Sequence, residues 1–337
     1  MVGLNCAAGE DLSKPPKGYK NRTVVLAAIT TPCPRRPPQE PENPARVRST
    51  ARRTALDGSL FRPPSSAADE IARSGFSLCR AGLHGMIPST MKRVFLLAVF
   101  LVAVSVHAAK PNIVFIMADD LGYGDVQASN PKSKIPTPHL NRLAKEGMTF
   151  TDAHSPSAVC TPTRYGVITG RYCWRSRLKR GVLGGYSAPL IEKDRPTVGS
   201  VLQSAGYHTA AIGKWHLGMN MTRRAGGKPG KERWDGDGNV DFTKPIADSP
   251  VTRGFHEYFG VSASLDMAPY VWIENDHFAK APTIQQAAVK FPAFIRKGPR
   301  SDDFEFEKGL DVLAARAAGF LERMAKEKNT FFLYLPL

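Results

Sequence analysis

The 337-residue chain has little cysteine, with five residues, and a deficit of acid, with 30 Asp plus Glu against 46 Lys plus Arg. It also lacks any apolar run near the roughly 20 residues that a membrane-spanning helix needs. A disulfide-knotted miniprotein and an integral helical membrane protein are both excluded. Proline is abundant but uneven, with 11 of its 27 residues in the first 90 positions. The folded part is therefore expected downstream.

That first segment runs through Pro15-Pro16, Cys33-Pro34-Arg35-Arg36-Pro37-Pro38 and Arg52-Arg53 with no sustained period of 2 or 3.6. Too few large apolar residues are present to offset the entropy of ordering, so residues 1–90 are expected to be disordered. Its arginines have no interleaved aromatics, and no nucleic-acid partner is expected. Next come Met91-Lys92-Arg93, an unbroken apolar stretch from Val94 to Val104, and the small-residue pattern Val106-His107-Ala108. A buried core helix or strand is one reading of this stretch, but its basic flank and short length match a secretory signal peptide. Residues 91–108 are then the signal and residues 1–90 an overcalled extension. The exported chain starts near Ala109, is periplasmic or secreted, and has no stable membrane span. Residues 110–337 carry 31 basic and 23 acidic side chains, a balance that suits an anionic substrate.

Asn112 to Ala118 is a continuous apolar run bounded by Pro111 and Asp119-Asp120, as in strands buried on both faces of a parallel sheet. Thr137-Pro138 supplies an N-cap and a first-turn proline for a helix through Leu140, Leu143 and Ala144 that Gly147 stops. A second helix follows Thr197, ends at Gly206 and leads into a strand from Tyr207 to Ile212. Strand and helix alternate, which predicts α/β layering. Residues 222–248 are Gly-rich and charged and read as a long surface excursion. Within them Asp235, Asp237 and Asn239 imitate a calcium loop, but Val240 stands where Gly is required and Ile246 where Glu is, so a solvated turn is expected. An amphipathic helix presents Leu310, Leu313, Ala317, Leu321 and Met324 on one face, and Phe331 to Leu335 reads as another buried strand.

Asp119 and Asp120 follow the first buried strand, at the end of the sheet where ligands gather in open α/β folds. Adjacent carboxylates repel unless a cation lies between them, so a hard divalent metal suits the pair, although a merely solvated loop suits it as well. The second cluster is Ser157-Ala158-Val159-Cys160-Thr161-Pro162-Thr163-Arg164. Pro162 at the first helical position places Cys160 at or just before a positive helix N-terminus, and Arg164 lies one turn on. A thiol there is either a nucleophile, as in a phosphatase, or a small buried apolar residue.

Cys160-Thr161-Pro162-Thr163-Arg164 resembles the Cys-x-Pro-x-Arg signature of the type I sulfatases, and Val167-Ile168-Thr169-Gly170-Arg171 resembles its continuation. Gly206-Tyr207-His208-Thr209-Ala210-Ala211-Ile212-Gly213-Lys214-Trp215-His216 resembles their second signature. A nucleotide P-loop is rejected for that segment, because six residues precede Gly213-Lys214 and Trp215 follows. The resemblance extends from Pro111 to the last strand. It implies an alkaline-phosphatase-like α/β sandwich with a central, mostly parallel sheet flanked by helices, and a sulfate-ester hydrolase acting on aryl or, in nature, carbohydrate sulfates.

By position, the resemblance makes Asp119, Asp120 and residue 160 calcium ligands. Cys160 becomes formylglycine through a maturation enzyme, and its hydrate offers one hydroxyl to attack sulfur and a second to expel sulfate. Arg164 holds the hydrate, Lys214 contacts the sulfate, and His216 acts as a base. Taken singly, Lys214 and His216 read better as a surface lysine and a satisfied loop histidine. The loop Ser262-Ala263-Ser264-Leu265-Asp266-Met267-Ala268-Pro269-Tyr270 is a candidate pocket wall with Asp266 as a substrate contact, or an ordinary connection. Phe255-His256-Glu257-Tyr258-Phe259 reads as a sugar or aryl platform or as a core strand. A further His, an Asp-Asn pair, another Lys and a smaller C-terminal domain belong to the family pattern beyond Leu337. The segment 109–337 is therefore expected to be the N-terminal part of the catalytic domain, incomplete at its C-terminal side. Two alternatives stay open: a phosphatase or phosphonate hydrolase of the same fold, which generally uses Ser or Thr as nucleophile, and a non-catalytic fragment.

Overall fold

The computed structural model describes residues 2–4, 23–28, 110–150, 152–225, 239–291 and 293–337. Its strands are, in chain order, β1 (Val2–Leu4), β2 (Thr23–Ala28), β3 (Asn112–Met117), β4 (Met148–Thr149), β5 (His208–Lys214), β6 (Asn220–Met221), β7 (Ile246–Asp248), β8 (Glu257–Val261), β9 (Ile273–Glu274), β10 (His277–Phe278), β11 (Ile284–Gln286), β12 (Gly298–Arg300) and β13 (Phe331–Pro336). The α-helices are α1 (Pro138–Glu146), α2 (Cys160–Thr169), α3 (Val198–Ser204) and α4 (Gly309–Glu327).

Nine strands form one sheet in the order β10-β9-β8-β5-β13-β3-β2-β1-β4. From β8 through β5, β13 and β3 to β2 the neighbours are parallel, and antiparallel strands lie outside them. The apolar runs explain this centre: every residue of β13 is buried, so the strand must be covered on both faces. Alternation along β13 separates those faces. Phe331 meets Phe320 of α4 edge to face at 5.5 Å, while Phe332 stacks on Phe255 at 6.2 Å. Gly199 of α3 packs on Phe255, so α4 covers one side of the sheet and α3 the other.

Capping follows the sequence closely in α3, where Thr197 accepts a hydrogen bond from the Ser200 amide at 2.9 Å. Helix α1 ends at Gly147 as read, but Thr137 does not cap it; its hydroxyl instead accepts from the Gln127 amide at 3.0 Å. The core face of α4 is Leu313, Ala317, Phe320 and Met324, with Leu310 left 58% exposed. Phe320, absent from the face as read, is buried against Phe331, with Leu321 half-buried beside it.

Two expectations are corrected. Val2–Leu4 and Thr23–Ala28 belong to the sheet, with Thr23 to Ala28 in parallel register beside Asn112 to Met117, so the segment read as disordered contains strands. The six-residue run Thr23-Val24-Val25-Leu26-Ala27-Ala28 has the composition of a strand, and the low overall apolar content of the segment concealed it. The excursion at 222–248 is anchored: β6 pairs with β7, Arg223 bridges Val240, and Val240 and Ile246 are buried. Asp235 and Asp237 of the calcium-like loop, and all of the signal-like stretch 91–108, lie outside the described residues. Of the two readings of Phe255 to Phe259, the core strand is the one found, since Phe255, Tyr258 and Phe259 are buried.

Candidate active site

The parallel strands end on one side of the sheet, and their C-terminal ends carry most of the candidate site residues. Asp119 and Asp120 follow β3, Lys214 closes β5 with His216 just beyond, Ser264 follows β8, and Leu337 follows β13. Strand ends in one layer can therefore bring together residues that lie more than 200 positions apart.

Helix α2 begins at Cys160, two residues earlier than Pro162 led us to expect. Proline is tolerated there because the first-turn amides have no intrahelical acceptor, so its missing N–H costs nothing. Cys160 is thus the first helical residue, at the positive end of the helix. Cys160, Arg164, Asp119 and Asp120 line one cavity of about 10 Å³. Both Cys160 and Cys173 are free thiols.

Lys214 is 5% exposed, and its Nζ donates to Asp119 Oδ2 and, at 3.1 Å, to Ser264 Oγ. Arg164 is buried beneath them. It donates from Nη1 to the Lys214 carbonyl at 2.6 Å and from Nη2 to the Leu337 carbonyl at 3.4 Å, and it pairs with Asp119 at 3.6 Å. The guanidinium therefore ties together the ends of β3, β5 and β13. Burial pushes the phenol of Tyr334, on β13, up to about 12, with the positive charge of Arg164 acting in the opposite direction.

His216 is fully buried, and its Nε2 lies 2.7 Å from the Leu183 carbonyl. Burial, and after it the charge of Lys214, push its pKa down to about 3, so the ring is neutral at ordinary pH. Asp266, two residues beyond Ser264, makes an ion pair with Arg296 at 3.3 Å. The structure thus brings Asp119, Asp120, Cys160, Arg164, Lys214 and His216 into one neighbourhood and pairs Asp266 with Arg296.

As ligands, the two carboxylates are hard oxygen donors of the type calcium prefers, at the edge of the cavity that Cys160 shares. Their number is small for calcium's six to eight oxygens. Among the described residues no three His, Cys, Asp or Glu side chains are gathered closely enough to hold a metal by themselves. Asp119 and Asp120 therefore suit part of a calcium shell.

Residues 111–337 match the family model described as Sulfatase. The chain belongs to the sulfatase family. It is 39% identical over 171 residues to an N-acetylgalactosamine-6-O-sulfatase of Bacteroides thetaiotaomicron, covering 51% of this chain and 30% of that protein. It is 36% identical over 179 residues to arylsulfatase A of Bos taurus, covering 53% and 31% respectively. A solved sulfatase structure from work on glycosaminoglycan metabolism by Bacteroides thetaiotaomicron matches with a TM-score of 0.55 at 29% identity, over 68% of this chain and 51% of that one. The chain thus spans about a third of the length of these curated relatives. The alkaline-phosphatase-like α/β fold expected from its sequence is the fold it has.

Two residues of this sulfatase site were not singled out by reading the chain. Ser264 lay inside the candidate pocket loop, with no local signal to separate it from Ser262. Thr161 lay inside the signature itself, where the pattern allows any residue.

Proposed function

We propose that this sulfatase chain carries the nucleophile-bearing part of a sulfate-ester hydrolase acting on sulfated carbohydrates or aryl sulfates, with residue 160 matured to formylglycine. One observation supports it above all: Cys160 opens α2 in a cavity shared with Asp119, Asp120 and Arg164, beside the amine of Lys214. The carbohydrate class follows from the N-acetylgalactosamine-6-O-sulfatase relative, to which the identity is 39%. Asp119 and Asp120 would hold part of the shell of a calcium ion, which would supply positive charge to the sulfuryl oxygens. Lys214 supplies a second cation, in a nearly dry position where charge compensation is strongest. Ser264 and Asp119 hold its amine at the end of β5, and Arg164 keeps the strand ends that carry them in register. Neutral His216 offers a ring nitrogen to accept a proton.

Made beside a formylglycine-generating enzyme, the chain is expected to carry an aldehyde at residue 160. Peptide mass spectrometry checks this, and an unmodified thiol in every spectrum from a competent host would remove the mechanism. Export is part of the same reading, with the product beginning near Ala109. Such cleavage releases β1 and β2 and leaves β3 without its neighbour on that side. N-terminal sequencing of periplasmic or secreted material is the check, and retained residues from the first 90 would refute export in this form.

A further inference from the structure

His216 has a backbone φ of 55°, in the left-handed region that is unfavourable for a non-glycine residue. Such a conformation persists where its surroundings over-determine it. Three hydrogen bonds do so here. The His216 amide donates to the Ser262 carbonyl at 3.0 Å, its carbonyl accepts from Thr161 Oγ1 at 3.0 Å, and its ring Nε2 faces the Leu183 carbonyl at 2.7 Å.

A carbonyl only accepts, so Nε2 must carry the ring proton. Nδ1 is then a bare lone pair. It is buried and meets no hydrogen-bonding partner among the described residues. A buried acceptor left unpaired is costly, and it stays available to a group that enters the site.

Leu183 is held in turn. Its amide donates to Thr161 Oγ1 at 3.1 Å, so one hydroxyl receives a proton from Leu183 and gives its own to His216. The bonds close a ring: Leu183 amide to Thr161, Thr161 to the His216 carbonyl, His216 ring to the Leu183 carbonyl. All three residues are buried, with Thr161 and His216 at 0% exposure. Thr161 directly follows residue 160, so the turn of α2 that bears the candidate nucleophile also sets the histidine.

We propose that Thr161 is a positioning residue: its hydroxyl closes this ring, fixes His216 as the Nε2–H tautomer, and keeps Nδ1 free to accept a proton in the chemistry of residue 160. The assignment of Nδ1 to residue 160 rests on the proposed function; the tautomer and its dependence on Thr161 do not.

The test uses 15N-histidine NMR on the full chain. The parent is expected to show His216 protonated at Nε2 and pyridine-like at Nδ1. Thr161→Ser, which keeps the hydroxyl, is expected to match it. Thr161→Val, of nearly equal shape without the hydroxyl, is expected to show a mixture of tautomers or the Nδ1–H form. In matured protein, Thr161→Val should lower kcat about 10- to 100-fold, the range typical for losing a group that orients a site histidine, with KM little changed and Thr161→Ser restoring the rate. Should Thr161→Val not fold, the parent spectrum still decides, because an Nδ1–H tautomer there overturns the proposal without any variant. A valine variant that folds with parental tautomer and parental kcat also overturns it, since a merely structural hydroxyl would change stability alone. A parent with the expected tautomer but no sulfate release from any ester would sink the proposed function and leave the Thr161 ring standing.

Discussion

Replacing Lys214 by alanine in the matured protein is expected to reduce sulfate-ester turnover about 100- to 1000-fold, a loss of about 2.7 to 4 kcal/mol of transition-state stabilisation. The size of the effect follows from placement. Lys214 is 5% exposed, at the end of a parallel strand, with its amine on Asp119 and Ser264. Little water is available there to replace the lost charge, so the transferring group meets one cation fewer. Folding should suffer much less, because Asp119 is still paired with Arg164 and its side chain is 29% exposed to solvent. Lys214→Met, which keeps the alkyl stem, separates lost charge from lost packing. Steady-state kinetics with an aryl sulfate, set beside the thermal midpoint, are the measurement. Activity within about threefold of the parent would exclude Lys214 from the mechanism.

The largest structural effect is expected one residue earlier. Gly213→Ala should destabilise the chain by about 3 kcal/mol or more, or abolish soluble expression. Gly213 has φ 130°, a backbone region that side chains rarely adopt, and a Cβ built there lies 1.9 Å from the Pro336 carbonyl oxygen. That oxygen belongs to β13, the parallel neighbour of β5, so the clash is backbone against side chain and no rotamer relieves it. Forcing the two strand ends apart would also disturb the carbonyls of Lys214 and Leu337, which Arg164 spans. Urea unfolding of the variant beside the parent gives the answer. A parental midpoint would mean that the two strand ends have room to separate.

Much of the sheet was legible in the residue order, because a strand buried on both faces needs apolar residues at every position. Phe331–Pro336 shows this pattern throughout and Asn112–Met117 shows it after its first residue, whereas His208–Lys214 keeps it only from Ala210 to Ile212. The helix boundaries at Thr197 and Gly147 were legible for another local reason, since capping and left-handed or irregular exits are set by one or two residues. Thr23–Ala28 escaped because a six-residue strand inside a Pro-rich segment has no periodicity long enough to stand out. The burial of Val240 and Ile246 escaped because pairing between β6 and β7 is non-local and leaves no trace in composition.

At the site, side-chain identity and fixed spacing were enough to point to Asp119, Asp120, Cys160, Arg164, Lys214 and His216, since each lies in a short motif of unusual composition. Those motifs also determined the family, and with it the expected fold. Only the tertiary structure decided how the residues are used. It spends most of Arg164 on backbone carbonyls, pairs Asp266 with Arg296, gives Ser264 to Lys214, and sets the tautomer of His216 through Thr161 and Leu183. The division has a physical cause. Local sequence dictates which chemical groups exist and which backbone they prefer, whereas hydrogen-bond partners in this sheet are backbone atoms brought together by strand ends tens to hundreds of residues apart. A carbonyl is present at every position, so no residue type marks the one that will be used.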